Sequence, residues 1–351
     1  MLTFISCAKT MASRCSLDVP EMTVPHFEAE AVRNVLEMSQ MPVAELEKLL
    51  RVNAKIAAEN RLRFHDFCSE DNRPMPAIGA YTGAVFKRIL PKDFTADDFR
   101  YAQEHLRITS FLYGLLRPLD GIKPYRLEGD VCLPEKGGVS MFDYWKPLLT
   151  DCFIAEIKRQ GGVLVNLASG EMKDLFDWKR VEKEVRVVTP EFRIWKDGGL
   201  KTVVIYAKMC RGEMVRYIIK ERVDSPEGLR GFSWEGFAFD EKRSTDDHLL
   251  PFVFADSLNP FFRQRFGFVF AKVVSHHDGG AGAFHFLRLC INNALRKIET
   301  LCADLSHSSL YGNVVGTVNL CKKISFYMDY DNSVFLPVDV RAYGSKIFCL
   351  A

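Results

Sequence analysis

The sequence predicts an α/β protein of the mixed type, with one compact domain over about residues 1–255 and a C-terminal extension after it. Three observations support this fold class. Short apolar runs indicate buried strands, longer stretches with apolar residues at helical spacing indicate helices, and the two alternate irregularly, without a repeating βαβ unit. With 351 residues, 48% of them apolar, the chain is long enough to build a large core.

Four short runs predict the strands. They are residues 2–6, 163–167, 185–189 and 200–206. Each run is mainly apolar and contains β-branched residues, which is typical of strands buried in a sheet. The sequence Lys-Asp-Gly-Gly at 196–199 lies between the last two runs and favours a tight turn, so we expect a hairpin there.

Four helices are expected as well. Residues 45–60 place most of their apolar side chains on one stripe, and a proline stands just before the first turn. Thr95 is the expected N-cap of a second helix, with two aspartates near its positive end. A long helix over 141–160 should end at the glycine pair 161–162. The fourth helix is expected to open within 206–212 and to run to about residue 222.

Charge and composition exclude several classes of protein. A net charge of +2 excludes a globally basic polyanion binder, so any site for a polyanion must be a local patch. No apolar run reaches the roughly 18 residues of a membrane-spanning helix. The ten cysteines form no C-x-x-C pair, which indicates free thiols in a reducing compartment. We therefore expect a cytoplasmic protein without a membrane partner, a metal site or a cofactor.

The composition changes near residue 255. All four tryptophans precede this point, and the last 96 residues contain none. We therefore treat 256–351 as a C-terminal extension, which we expect to be poorly ordered, and we expect the first 255 residues to fold without it.

The first candidate motif directly follows the first predicted strand. Residues 6–10 read Ser-Cys-Ala-Lys-Thr, and this small-residue loop could hold a phosphate with its backbone amides and with Lys9 and Thr10. It is not a P-loop, because both glycines of that motif are missing. The alternative is a strand-end loop with a solvated lysine.

The second candidate motif covers residues 105–128. Arg107, Arg117 and Arg126 are spaced through an apolar stretch, and charges in such a setting must be paired or directed at an anionic ligand. The Tyr113-Gly114 turn could present backbone amides to a nucleic-acid phosphate, as helix-hairpin-helix turns do. The alternative is a buried network, in which the arginines pair with Asp120 and Glu128 and only stabilise a turn.

The third candidate motif opens the fourth helix. Lys208 and Arg211 lie on the same helical stripe as the apolar residues Val215 and Ile218, and at the positive end of the helix dipole. A solvated face would not be arranged in this way. We expect an inward, anion-binding cleft, with a buried ion-pair network as the alternative.

The fourth candidate motif follows the second predicted strand, at 166–171. Ligand sites of α/β proteins favour such strand ends, and Glu171 could take part in one. Ser169 is also an ordinary N-cap, which is the better interpretation of this serine. The spacing of the chain identifies no Ser-His-Asp or Cys-His arrangement.

Taken together, these blocks resemble the YaaA family of bacterial peroxide-stress proteins. The matching residues are 6–10, 63–67, 81–83, 105–120, 125–128, 166–169 and 206–212, in the same order and at compatible spacing. The resemblance covers about residues 1–255. It implies a single α/β domain with a positively charged cleft and a helix-hairpin-helix-like element. It also implies DNA binding in cells that limit damage from hydrogen peroxide and free iron, with no confirmed reaction.

Three positions depart from the family pattern. Cys7 stands where the family usually has proline, which could loosen the loop or add a peroxide-sensitive thiol. Phe111 stands where the family usually has glycine, and it could obstruct a phosphate near the Tyr113-Gly114 turn. After Glu171 the family commonly has an aromatic pair and then lysine, whereas Met172 and Lys173 follow here.

The leading hypothesis is therefore a cytoplasmic DNA-binding protein of the peroxide stress response. Its expected contacts with nucleic acid are Lys9, Thr10, Arg107, Tyr113, Gly114, Arg117, Tyr125, Arg126, Lys208, Arg211 and Arg216. Phosphate contacts position a protein without reading sequence, so binding should depend on salt and only weakly on sequence. Tyr113 or Tyr125 could stack on an unpaired base and favour bubbles or branched DNA.

The rival hypothesis is an enzyme that acts on a damaged nucleobase or a phosphorylated small molecule. Lys9 or Lys208 would serve as nucleophile or general base, and Asp120, Glu128 or Glu171 would assist. An iron-binding protein is a third possibility, suggested only by the resemblance, and the scattered histidines and cysteines argue against it.

Overall fold

The computed structural model describes residues 1–196, 199–243, 249–254, 324–326, 338–343 and 346–350. Its contacts divide the chain into two units, Met1–Phe266 and Gly267–Ala351.

The first unit is built on a large mixed sheet. Its strands are β1 Leu2–Ile5, β3 Leu106–Ser110, β4 Gly114–Leu116, β6 Val163–Asn166, β7 Arg186–Lys196, β8 Gly199–Lys201, β9 Ser233–Trp234, β10 Phe237–Phe239 and β11 Leu249–Phe254. The order is β4-β3-β1-β6-β7-β11-β10-β9, and β8 pairs with β7. Strands β3, β1, β6, β7 and β11 run parallel, and the remaining pairs are antiparallel. Two short strands, β2 Met75–Pro76 and β5 Gly121–Ile122, pair apart from this sheet.

Helices connect the strands of this unit. They are α1 Glu28–Ser39, α2 Val43–Leu50, α3 Ala54–His65, α4 Ala77–Ala80, α5 Ala84–Ile89, α6 Ala96–His105, α7 Met141–Arg159, α8 Trp178–Glu184, α9 Val204–Lys220 and α10 Pro226–Leu229. Short 3-10 turns cover Pro91–Asp93, Pro134–Lys136, Gly170–Leu175 and Glu241–Arg243. The described elements confirm the predicted α/β class.

Most of the expected local structure is confirmed. The first three predicted runs are strands β1, β6 and β7, although β7 extends further than predicted. Thr95 caps α6 in a capping box with Asp98. The long helix α7 ends at Arg159, and the glycines at 161 and 162 both have positive φ. Strands β7 and β8 form the expected hairpin.

Two predicted elements are wrong in their extent. The single helix expected over 45–60 is two helices, because Arg51 takes a left-handed conformation and Asn53 then caps α3 by accepting from the amide of Ile56 at 2.9 Å. The strand expected over 200–206 stops at Lys201, and its apolar end is the first turn of α9. A short apolar run does not distinguish a strand from the start of a helix, and here the packing of α9 decides.

The Tyr113-Gly114 turn is not part of a helix-hairpin-helix element. It joins the antiparallel strands β3 and β4, and it is buried. Gly114 has a φ of 72°, and a Cβ there would lie 2.8 Å from a ring carbon of Trp145. The glycine is therefore needed for its conformation and for the close approach of α7, and its backbone is not at the surface.

The described part of the second unit is a small antiparallel sheet. Its strands are β12 Ile324–Phe326, β13 Val338–Tyr343 and β14 Lys346–Leu350, in that order. The rest of the extension, including 256–323, lies outside the described residues, and the expectation that the extension is poorly ordered remains a prediction.

Candidate functional site

The strand order itself creates a crevice. From β1 the chain first adds β3 on one side and later adds β6 on the other. The loops that leave β1 and β6 therefore start side by side at the carboxyl ends of parallel strands, which is where open α/β sheets bind ligands. Ser6 and Ser169 join the two loops, since the amide of Ser169 donates to the Ser6 hydroxyl at 2.8 Å and the two hydroxyl oxygens lie 3.0 Å apart.

A cleft of about 390 Å³ opens beside these loops, and we call it the carboxyl-end cleft. Its lining residues are Lys9, Leu49, Leu50, Arg51, Arg126, Glu128, Gly129, Asp130, Val131, Phe142, Glu171 and Asp174. It thus brings together four residues that the sequence singled out, namely Lys9, Arg126, Glu128 and Glu171. These residues come from separate segments of the chain, as the hypothesis of a convergent site expects.

The cleft is not cationic. Glu128 lies 3.2 Å from Lys9 Nζ and 2.8 Å from an Nη of Arg126. Arg126 also donates to the carbonyl of Lys9 at 3.1 Å, and Arg51 pairs with Asp130. Each of the three lining cations therefore has a carboxylate partner, while the cleft contains four carboxylates in total. The expectation of positive charge is not met at this cleft, because its four carboxylates outnumber its three cations.

The remaining lining residues are apolar. Leu50 and Val131 are buried in the core, and Phe142 packs edge-on against Phe111 with ring centroids 5.3 Å apart. Gly129 makes room for both rings, since a Cβ there would lie 2.3 Å from Phe142 and 2.6 Å from Phe111. Phe111 is thus buried in the core, so it does not block access to the protein surface near the Tyr113-Gly114 turn.

In the loop after β6, Ser169 is not the helix cap that the sequence predicts. Ser169 precedes the turn Gly170–Leu175, but its side chain caps no amide of that turn. The hydroxyl instead donates to Glu171 at 3.2 Å. Lys173 is directed away from the cleft, with Nζ 5.0 Å from the centroid of the Trp178 ring, and the next residue, Asp174, lines the cleft. Lys173 therefore does not replace the family's lysine.

Arg107 is a core residue. Its side chain is 3% exposed, and its Nε donates to Glu156 at 2.7 Å. Nη1 donates to backbone carbonyls at the end of α6, among them that of Gln103 at 3.0 Å. The Nε and Nη1 groups of Arg107 therefore donate hydrogen bonds inside the protein, and the side chain is too buried to contact a phosphate.

Arg117 and Asp120 form the turn-stabilising network that the sequence left open as an alternative. Nε and Nη2 of Arg117 donate to one oxygen of Asp120 at 3.1 and 2.9 Å, and the arginine's own amide donates to the other at 2.8 Å. Thr23 donates to the same carboxylate, which is 1% exposed. Asp120 therefore stabilises this turn. Its hydrogen-bond partners are Arg117 and Thr23, and not Lys9 or Lys208, the lysines that it would assist in the enzyme hypothesis.

The two tyrosines expected to stack on bases are buried. The hydroxyl of Tyr113 accepts from the amide of Lys123 at 3.0 Å. The Tyr125 hydroxyl lies 2.8 Å from that of Tyr81 and 2.7 Å from that of Ser110. Burial raises the pKa of both Tyr113 and Tyr125 above its ordinary value. Neither ring face is available for stacking.

Arg216 is also engaged within the protein. It donates to Asp93 at 3.2 Å and to the carbonyls of Ile89 and Leu90 at 3.3 and 3.2 Å. These contacts join α9 to the segment after α5.

Lys208 and Arg211 differ from all of these cations. Within the described part of the chain, neither side chain has a carboxylate partner or a hydrogen-bond acceptor. Lys208 is exposed to solvent, so the expectation that it faces inward is wrong, whereas Arg211 is partly buried. The Nε of Arg211 is buried without a partner, and burial lowers the pKa of its guanidinium. Helix α9 begins at Val204, so Lys208 and Arg211 are its fifth and eighth residues and lie beyond the first turn, where the helix dipole acts most strongly. The expectation that they stand at the positive end of the dipole is therefore wrong, and the observation that points to an anion is the buried, unpartnered Nε of Arg211.

Close packing connects α9 to the loop after β1. A Cβ on Gly212 would lie 2.2 Å from the carbonyl oxygen of Val85 in α5, and a Cβ on Gly83 would lie 2.7 Å from the Cβ of Ala8. The hydroxyl of Thr82 donates to that of Thr10 at 3.0 Å. Helix α5 therefore lies between the Lys9–Thr10 loop and the unpaired cations of α9.

Cys7 is poorly suited to sense peroxide. Burial, together with the nearby Glu128 and Glu171, raises the pKa of its thiol to about 12. Oxidation by peroxide proceeds through the thiolate, so this thiol should be inert. The described residues contain no group of three or more histidine, cysteine or acidic side chains placed to hold a metal. None of the described helices is long and apolar enough to cross a membrane.

Sequence reasoning missed Arg51, Asp130 and Asp174 as cleft residues. Arg51 follows the leucines of α2 and carries no signal of its own before the left-handed turn is known. Asp130 lies two residues after Glu128, and Asp174 lies three residues after Glu171. Their nearness in sequence to two residues already singled out was the signal that could have identified them.

The fold and these sites define the class: an α/β protein with a ligand cleft at the carboxyl ends of parallel strands and an unpaired pair of cations on a neighbouring helix. Comparison with known proteins identifies the family. A family model described as peroxide stress protein YaaA matches residues 1–243. The chain belongs to this family, and the resemblance noted from the motifs is confirmed.

The chain is also similar to several UPF0246 proteins of other bacteria. A UPF0246 protein of Phocaeicola vulgatus is 66% identical over 250 residues, covering 71% of this chain and 98% of that protein. A UPF0246 protein of Bacteroides fragilis is 62% identical over 246 residues, covering 70% and 96%. One from Parabacteroides distasonis is 50% identical over 248 residues, covering 71% and 98%.

Proposed function

We propose that this member of the peroxide stress family is a cytoplasmic DNA-binding protein that helps limit damage from hydrogen peroxide and free iron. The observation that carries the proposal is the partly buried guanidinium of Arg211, whose charge has no counterpart in the described part of the chain. Removing a guanidinium from water without a carboxylate partner costs free energy, and a bound anion offsets that cost.

Two further features favour a phosphate as that anion. Lys208 is exposed on the same helix, three residues before Arg211, so its charge is available to the same anion. The Lys9–Thr10 loop lies on the other side of α5, and Lys9 is 69% exposed despite its contact with Glu128. A nucleic-acid backbone carries phosphates at regular intervals and could contact both segments.

The proposal retains part of the expected contact set. It assigns phosphate contacts to Lys208 and Arg211, with Lys9 and Thr10 as a second contact. It leaves out Arg107, Arg117, Arg126 and Arg216, because their guanidinium groups are bonded within the protein, and Tyr113, Gly114 and Tyr125, because they are buried. Binding should be salt-dependent and weakly sequence-dependent. A preference for bubbles or branched DNA remains a prediction.

The test is a titration of the full-length protein with labelled duplex and bubble DNA over a series of salt concentrations. The Lys208→Ala/Arg211→Ala variant removes the unpaired cations. Lys158→Ala/Arg159→Ala is the matched control, because it removes two surface cations that already have carboxylate partners. We expect the slope of log K against log salt to fall by about 2 in the first variant, and to change little in the control.

Absence of binding at low salt, or equal loss in both variants, would contradict the proposal. Circular dichroism of both variants checks that the fold is retained.

The enzyme hypothesis keeps one supporting observation: Lys9, Glu128 and Glu171 share the carboxyl-end cleft. Lys208 is not among the residues that line this cleft, so the two candidate lysines could not act in the same site. Borohydride trapping with damaged DNA tests the idea, since an imine intermediate formed by Lys9 would be trapped in the wild type and lost in Lys9→Met. A trapped adduct that persists in Lys9→Met and in Lys208→Met would exclude both lysines.

A further inference from the structure

Two apolar residues at the start of α9 are exposed to solvent. Val204 is 63% exposed and Ile205 is 48% exposed, whereas Ala207, Cys210 and Met214 of the same helix are buried. Among the described residues, Val204 and Ile205 are the only neighbours in sequence that are both large, apolar and exposed. Apolar residues exposed singly need no explanation, but exposed apolar residues that adjoin one another are a feature of binding surfaces. We call Val204 and Ile205 the α9 apolar pair.

The residue types of this pair do not favour the helix either. Valine and isoleucine are branched at Cβ and lose side-chain freedom in a helix, so they are less favourable there than alanine or leucine. Burial of both side chains in a core would offset this cost, but both are exposed. The described part of the fold therefore gains little from two β-branched residues at this place, and contact with a partner would give them a role.

The α9 apolar pair lies in a segment that carries positive charge alone. Residues 198–212 contain Lys201, Lys208 and Arg211 and no acidic residue. Side chains three and four positions apart are neighbours on a helix, so Lys208 adjoins both members of the pair, and Arg211 follows one turn further on. A partner that contacts the pair therefore also meets this charge. Charge complementarity selects a polyanion that presents apolar surface between its charges.

DNA has this combination, because its phosphates are charged and the faces of its bases are apolar once a base step is opened. We propose that the α9 apolar pair inserts at a base step of bound DNA and partly unstacks it, while Lys208 and Arg211 contact the adjacent phosphates. The inference rests on the proposed function and adds to it the form of DNA that is preferred. Apolar side chains act as such wedges in proteins that kink DNA, and flexible pyrimidine–purine steps open most easily.

Fluorescence of 2-aminopurine tests the proposal, because stacking quenches this adenine analogue and unstacking restores its emission. The probe is a short duplex with 2-aminopurine in place of adenine at a TA step, titrated with the full-length protein at low salt. We expect the emission to rise about twofold or more at saturation. The TA duplex should also bind about fivefold more tightly than a stiff A-tract duplex of equal length.

Val204→Ser/Ile205→Ser removes the α9 apolar pair and leaves every cation in place. This variant should lose the rise in emission and bind the TA duplex about tenfold more weakly, while the slope of log K against log salt stays that of the wild type. Leu36→Ser/Leu62→Ser is the matched control, because it removes two apolar residues that are 51% and 64% exposed on α1 and α3, and it should behave as the wild type. Val204→Leu/Ile205→Leu keeps an apolar pair and should retain the rise. Thermal unfolding monitors the fold of each variant.

The outcomes separate this inference from the proposed function. Salt-dependent binding without a rise in emission, or a rise that survives in Val204→Ser/Ile205→Ser, would overturn the inference and leave the phosphate contacts in place. Absence of salt-dependent binding to either duplex would overturn both. Sedimentation equilibrium gives a further test: a dimer that the serine variant dissociates would assign the pair to a contact between two copies of this chain, and would also overturn the inference.

Discussion

Both halves of α9 carry basic residues, but only those of the C-terminal half have acidic partners among the described residues. Towards its C-terminal end, Arg216 pairs with Asp93, and Lys220 lies 2.6 Å from Asp98. In its N-terminal half, Lys208 and Arg211 have no acidic partner in the described part of the chain. The helix dipole favours Lys220, which lies in the last turn. Cations that stabilise the fold are therefore distinguished from cations available to a ligand by their partners, and not by residue type.

The largest effect should come from disturbing the packing that positions both halves. A Cβ on Gly212 would lie 2.2 Å from the carbonyl oxygen of Val85, and backbone cannot yield as a flexible side chain does. We expect Gly212→Ala to lower the free energy of unfolding by about 3 kcal/mol. Gly199→Ala, where no atom lies within 4 Å of the added Cβ, is the control. Urea denaturation gives both values, and equal values would show that α5 and α9 adjust freely.

The paired half should contribute stability through Asp98. This carboxylate is 6% exposed, pairs with Lys220 and Arg222, and accepts the amide of Thr95. We expect Asp98→Asn to lower the free energy of unfolding by about 2 kcal/mol at neutral pH. Asp97→Asn changes an 80% exposed residue with one exposed partner, and should cost under about 0.5 kcal/mol.

The same carboxylate should make stability depend on pH. Hydrogen bonds from Lys220, Thr95 and Arg222 outweigh burial and hold the pKa of Asp98 at about 2, below its ordinary value of 3.8. A depressed native pKa adds stability that is present above the unfolded pKa and is lost as the pH falls through the native one. The difference between wild type and Asp98→Asn should therefore shrink between about pH 4 and about pH 2. A difference that stays constant over this range would contradict the assignment.

Replacing the unpaired Arg211 should raise the free energy of unfolding, whereas replacing the paired Asp98 should lower it. Arg211→Met keeps most of the buried hydrocarbon and removes a desolvated charge, so we expect it to raise the free energy of unfolding by about 1 kcal/mol while weakening DNA binding. Arg100→Met, which removes a 61% exposed arginine from α6, should change neither quantity. A destabilised Arg211→Met would mean that the guanidinium has partners inside the protein.

The smallest effect is expected from removing the C-terminal unit. Both halves of α9 and all their partners lie in Met1–Phe266. A 1–266 fragment should therefore unfold within about 2 °C of the full chain and keep the Asp98-dependent pH profile. An insoluble or molten fragment would show that the extension supports the first unit.

Local signals explain what could be predicted of the fold. The cap at Thr95 and the glycine pair after α7 depend on residues within one turn of each other, and both are found as expected. The break between α2 and α3 escaped prediction because Arg51, unlike glycine, carries no intrinsic preference for the left-handed conformation it adopts. The start of α9 was misplaced because its apolar first turn resembles the end of a strand.

The sequence predicted several residues of the candidate site, but it did not predict which of their charges form ion pairs. Lys9, Arg126, Glu128 and Glu171 were all identified from the sequence, and the fold brings them into one cleft. The charge of this cleft was predicted with the wrong sign, in part because Lys9 and Arg51 have carboxylate partners that lie far away along the chain. Glu128 is 119 residues from Lys9, and Asp98 is 122 residues from Lys220.

The sequence by itself determined the α/β class, the family and the short list of charged residues worth attention, because these depend on periodicity, caps and motifs that are local. Only the tertiary structure decided which charges are already neutralised. Arg107 and Arg211 are alike as residues near apolar neighbours, yet Glu156 reaches the first and no described carboxylate reaches the second. Coulombic pairing depends on distance in space, and folding sets that distance between residues that the chain keeps apart.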